Sequence, residues 1–146
     1  DEAVDSARLT RRLAGKFSGR AHVRLASLDT AALDVVGELG VSVWPLMATL
    51  LGVDLLVGAG GYHTVYEARI TGTPLLAVPR MRMYDRQSRR LAPFERVTDD
   101  RDCLQRVGEF LDSGHSQRTL KAPLEKSGVD DAVEAIIRTM TRRHSS

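Results

Sequence analysis

The chain has 146 residues, 42% of them hydrophobic, and a formal net charge of +2, which predicts one globular domain with a single core. The small positive charge, without a helix-turn-helix or zinc pattern, argues against nucleic-acid binding. No apolar run is long enough to span a membrane. The single cysteine, Cys103, excludes an internal disulfide, and we expect a cytoplasmic protein with a buried thiol. The four scattered histidines lack ligand spacing, so we expect no metal site.

Helical and strand patterns alternate along the chain. Apolar residues at helical spacing predict helices over residues 1–17, 28–39, 46–51, 64–70, 86–91, 99–111 and 129–143. Short apolar runs between turn residues predict strands over residues 21–26, 41–44, 54–57, 75–78 and 95–97. Asp29 or Thr30 would cap the second helix, and Pro45 would open the third. The alternation predicts a doubly wound α/β domain with a parallel sheet, in which ligands bind beyond the carboxyl ends of the strands.

A glycine-rich turn, residues 58–61, lies between a predicted strand and a predicted helix. Glycines let the backbone approach a ligand closely, and the unpaired N–H groups of a helix start attract phosphate or pyrophosphate. Thr64 would fall in the first helical turn, where its hydroxyl can cap the helix or donate to a ligand. Glu67 would follow one turn later and could accept two ribose hydroxyls. The alternative is that the glycines only make a tight turn and that Glu67 is solvated.

The run GAGGYHTVYEARITGTPLLAVP over residues 58–79, followed by YDRQ at 84–87, resembles the donor-binding domain of GT-B glycosyltransferases. The resemblance is closest to family 28, the MurG-like enzymes. In that family a Gly-x-x-Thr-x-x-Glu segment holds the pyrophosphate and ribose, and a later Asp-x-Gln segment contacts the sugar. The residues that match in order are Gly61, Thr64, Glu67, Asp85 and Gln87. The identity of the sugar and of the nucleotide stays open.

This resemblance implies that residues 1–146 form a Rossmann-like GT-B half-domain that lacks the family's usual first strand. The domain would bind UDP-hexose or UDP-N-acetylhexosamine, and the whole enzyme would be a hexosyltransferase acting on an acceptor hydroxyl without a metal or other cofactor. The implied donor-binding residues are Trp44, Gly60, Gly61, Tyr62, His63, Thr64, Glu67, Arg80, Asp85 and Gln87.

The family's catalytic base belongs to an acceptor-binding domain or subunit, so the resemblance implies that this chain alone does not catalyse transfer. Two alternatives remain open. One is a nucleotide-sugar hydrolase- or epimerase-like domain, and the other is a non-catalytic partner subunit or remnant of such an enzyme.

Three further predictions concern residues near the turn. Trp44 follows a predicted strand and would either stack on uracil or pack in the core. His63 would either donate to a phosphate or sugar hydroxyl or be solvated. A cluster of five arginines surrounds residues 85–87, and one of them, such as Arg80, could neutralise the leaving pyrophosphate. The cluster could also contact anionic lipid at a membrane surface, or be a solvated charged surface. Its members are Arg80, Arg82, Arg86, Arg89 and Arg90.

Overall fold

The structure, a computed structural model, describes residues 2–78, 91–92, 95–114 and 133, with side chains described from residue 4 onward. The predicted helices over residues 86–91 and 129–143 lie outside the described residues except at Leu91 and Val133. Val133 is helical, and its side chain is about half exposed.

The described residues form helices joined to short parallel strands. The helices are α1 (Glu2–Lys16), α2 (Thr30–Val36), α3 (Leu46–Leu50), α4 (Tyr62–Thr71) and α5 (Asp100–Asp112), with a 3₁₀ turn at Gly37–Leu39. The strands are β1 (Leu25–Ala26), β2 (Gly40–Val41), β3 (Leu56–Gly58) and β4 (Leu75–Ala77). β1 pairs in parallel with β2, and β3 pairs in parallel with β4. The predicted α/β class is therefore confirmed.

The predicted single sheet differs from the arrangement observed in the described residues, where the four strands form two separate two-stranded sheets. The strand predicted over 41–44 ends at Val41, and the last bond between the two chain segments runs from the Ser27 N–H to the Val41 carbonyl at 3.2 Å. The Ser27 hydroxyl accepts the Asp29 N–H at 3.0 Å, and Asp29 in turn caps α2 by accepting the Ala31 N–H at 2.9 Å. The cap predicted at Asp29 is therefore confirmed, and α2 begins at Thr30, three residues after the last bond of the ladder at Ser27.

Helices cover both faces of the β3–β4 pair. On one face, α4 packs its buried residues against β4 in a cluster of Val65, Ala68, Leu75, Ala77 and Leu91. On the other face, α1 and α5 pack together with β4 in a larger cluster of Leu13, Phe17, Leu76, Val97, Cys103, Leu104 and Val107. Successive residues of β4 belong to opposite clusters because side chains alternate across a strand. Because both faces of β4 are buried, its residues are consecutively apolar rather than alternating between apolar and polar.

The start of α5 is fixed by hydrogen bonds from side chains. Asp99 is its N-cap and accepts the Asp102 N–H at 2.8 Å. The Asp102 carboxylate accepts the Thr98 N–H at 2.8 Å and the Arg106 Nε–H at 2.8 Å. These bonds, the Thr98 N–H first among them, hold the pKa of Asp102 below its usual 3.8. A helix that begins at Asp100 directs Cys103 into the core.

Cys103 should be nearly inert to thiol reagents while the protein is folded. Its side chain is fully buried, and burial, with the nearby Asp100 and Asp102 charges, raises the pKa of the thiol from 9.0 to about 11. The thiolate fraction at pH 8 is therefore lower by about 100-fold, in addition to the loss of access. A disulfide reagent should react much more slowly with native protein than with protein in urea. Reaction of native protein at the rate of the unfolded chain would contradict the buried placement.

Candidate functional site

The glycine-rich turn belongs to a β3–α4–β4 unit. The two strands pair in register, Leu56 opposite Leu75 and Gly58 opposite Ala77, and a parallel pair requires a crossover such as α4. The crossover ends at Gly72, whose backbone is left-handed at φ 67° and whose N–H bonds back to the carbonyls of Ala68 and Arg69. The predicted strand–turn–helix–strand order is confirmed, with the turn at the carboxyl end of β3.

Helix α4 begins two residues earlier than predicted, and Gly61 is its N-cap. The carbonyl of Gly61 accepts the Val65 N–H at 3.1 Å. The first helical turn therefore consists of Tyr62, His63 and Thr64. The first N–H groups of an α-helix have no carbonyl acceptor one turn earlier in the same helix. These N–H groups and the positive end of the helix dipole lie directly after the glycine turn, an arrangement that attracts anions.

The conformation of Gly61 is one that any residue can adopt. Its φ is −66° and its ψ is 157°, and a Cβ added there would meet no atom of the described residues within 4 Å. Gly58 is also accessible to a small side chain, since a Cβ there would make an ordinary 3.4 Å contact with the Thr64 methyl. The tight turn alone therefore does not require glycine at position 61. Among the described residues, no atom fills the Cβ position at Gly61 beside the first turn of α4.

Thr64 and Glu67 lie on one face of α4, as predicted. Thr64 is the third helical residue, so the prediction that its hydroxyl caps the helix is wrong, and donation to a ligand stays a prediction. Both side chains are half-buried. The Glu67 carbonyl accepts the Thr71 hydroxyl at 2.9 Å, but its carboxylate forms no hydrogen bond or ion pair with the part of the chain that the structure describes. Acceptance of ribose hydroxyls by this carboxylate stays a prediction.

Three aromatic rings lie at the start of α4. The ring of Tyr62, which is 60% exposed, is parallel to that of Tyr66 with centroids 5.9 Å apart. It also meets the exposed His63 ring edge-on at 5.8 Å. His63 is thus a helical residue rather than a turn residue, and its contact with phosphate or sugar stays a prediction. Tyr66 was not among the predicted site residues, although the four-residue spacing from Tyr62 is the signal for such a pair.

Trp44 is exposed rather than buried. Its exposed fraction is 79%, so the alternative that it packs in the core is wrong. It lies three residues after the end of β2, and the turn at Gly61 lies three residues after the end of β3. Large aromatic side chains are usually packed, so an exposed indole in this position is available for stacking. Its contact with a nucleobase stays a prediction.

The remaining predicted site residues, Arg80, Asp85 and Gln87, lie outside the described residues. So do the four other arginines of the predicted basic cluster. The structure therefore describes the part of the predicted site that would hold the diphosphate and ribose. The part predicted to contact the sugar stays a prediction.

Two shallow grooves lie elsewhere on the surface. One, of about 480 Å³, runs between α1 and α5 and is lined in part by Lys16, Phe17, Arg20 and Arg101. The other, of about 340 Å³, includes residues from Ala14 to Arg24 and Leu39. Neither includes a residue of the glycine turn. The described residues contain no cluster of three or more metal-ligating side chains and no helix with the length and apolarity to cross a bilayer.

No protein-family model, curated protein or solved structure matches this chain. The candidate site is therefore defined by the geometry of the β3–α4 turn and by the residue types on the first two turns of α4. Of the described residues, the site brings together Gly60, Gly61, Tyr62, His63, Thr64 and Glu67.

Proposed function

We propose that the chain is the nucleotide-sugar donor-binding domain of a GT-B-type glycosyltransferase, with UDP-hexose or UDP-N-acetylhexosamine as the donor. The observation that carries the proposal is the start of α4 at Gly61, where no side chain caps the helix and the Cβ position is open. Diphosphate oxygens accept hydrogen bonds from N–H groups of this kind, and the helix dipole favours their charge.

Glu67 is the reason for proposing that the ligand carries a nucleoside. The residue lies on the second turn of α4, on the same face as Thr64, and the described residues leave its carboxylate unpaired. A carboxylate beside a diphosphate site is unfavourable for an anion alone but can accept the two hydroxyls of a ribose. The helix start and Glu67 together therefore favour a ribonucleoside diphosphate over inorganic phosphate or pyrophosphate as the ligand.

We propose the doubly wound, Rossmann-like sheet as the fold of the whole domain. The packing of α4 on one face of β3–β4, and of α1 and α5 on the other, supports it. The parallel bridge from Arg96 to Ala77 adds a further parallel pairing beside β4. Parallel strands covered on both faces are typical of such folds.

The proposed chemistry is displacement of UDP from the sugar by an acceptor hydroxyl. The bond between the anomeric carbon and the phosphate oxygen breaks as the acceptor oxygen bonds to the same carbon, and a base on the acceptor-binding domain or subunit takes the hydroxyl proton. The N–H groups of the first turn of α4 would stabilise the negative charge that develops on the leaving diphosphate, without a metal ion. Asp85 and Gln87 would hold the sugar, and Arg80 would add positive charge beside the diphosphate.

Glu67→Gln should lower the affinity for UDP by about tenfold, roughly 1.4 kcal/mol. The ribose hydroxyls lose a charged acceptor, whereas pyrophosphate has no ribose and should bind the variant as well as or better than the parent. Calorimetric titration of both ligands measures the difference.

Glu38→Gln is the matched control, because Glu38 is an exposed residue of the 3₁₀ turn. It should leave both affinities unchanged. Equal losses of UDP and pyrophosphate affinity in the Glu67 variant, or no loss of either, would contradict the ribose role. Binding of neither ligand by the parent chain would favour the non-catalytic remnant.

A further inference from the structure

We draw no further inference here: the strongest candidate, the exposed apolar side chains of Trp44, Met47 and Leu51 in and beside α3, forms a face for which nothing in the described residues shows what covers it.

Discussion

Gly61→Asp should stabilise the chain and weaken UDP binding at the same time. The backbone at Gly61 has the extended conformation of an N-cap, and the Cβ position is open. An aspartate there can accept a hydrogen bond from the N–H of His63 or Thr64, and its negative charge interacts favourably with the positive end of the helix dipole. We expect the free energy of unfolding to rise by about 0.3–1 kcal/mol. The same N–H groups are those proposed for the diphosphate. We therefore expect UDP affinity to fall by at least about tenfold, roughly 1.4 kcal/mol.

Three further variants separate charge, bulk and fold in this experiment. Gly61→Asn provides a similar cap without the charge and should weaken UDP binding less than Gly61→Asp does. Gly61→Val adds bulk without a cap and should also lower the affinity by about tenfold or more. Gly15→Val makes the same change at an exposed position of α1 with open space and should leave the affinity unchanged.

Thermal melting and UDP titration on the same samples distinguish the outcomes. If the glycines serve only the turn, substitutions at Gly61 change stability and leave the affinity per folded molecule unchanged. A folded Gly61→Asp protein that binds UDP as tightly as the parent would rule out this placement of the diphosphate.

Phe17→Ala should lower the free energy of unfolding by about 3–5 kcal/mol. The Phe17 side chain is 2% exposed and lies in the larger core cluster with Leu104 and Val107. Its ring lies beside Gly108 of α5, where an added Cβ would make an ordinary 3.7 Å contact with the ring. Phe17 directly follows α1, and its truncation removes the ring from the cluster that it shares with α5 and leaves a cavity there.

Urea denaturation of Phe17→Ala and Leu51→Ala tests this placement of the core. Leu51 is 61% exposed, so its truncation should change the free energy of unfolding by less than about 0.5 kcal/mol. The loss in Phe17→Ala matters because a domain of this size is stable by only about 5–15 kcal/mol. Equal losses in the two variants would contradict the described packing of α1 on α5.

The β3–α4–β4 unit was predictable because its local signals agree. An apolar run, glycines, a helical segment and the Gly72–Pro74 pair all predict the same order of elements, and Gly72 adopts the left-handed backbone that ends a helix. The cap at Asp29 and the burial of Cys103 were predictable for the same reason. In each case the local residue types and the tertiary packing favour the same structure.

The strand lengths and the exposure of Trp44 could not be predicted in this way. A strand ends where its partner leaves the ladder. The last bond to β2 is from the Ser27 N–H to the Val41 carbonyl, so the pairing stops there although the residue types at 42–44 predict a strand. The exposure of an aromatic residue depends on which helices and strands lie beside it. The spacing of apolar residues in the sequence does not specify those neighbours. The start of α4 at Gly61 was missed because glycines that predict a turn can also be N-caps.

The most direct measurement is calorimetric titration of the parent chain with UDP, uridine and pyrophosphate under one buffer condition. We expect one UDP site per chain, with uridine binding at least about tenfold more weakly because it lacks the diphosphate proposed to bind at the start of α4. Pyrophosphate should also be weaker than UDP, because it lacks the ribose that Glu67 would hold. Absence of UDP binding, or binding of uridine as tight as that of UDP, would contradict a diphosphate site at the start of α4.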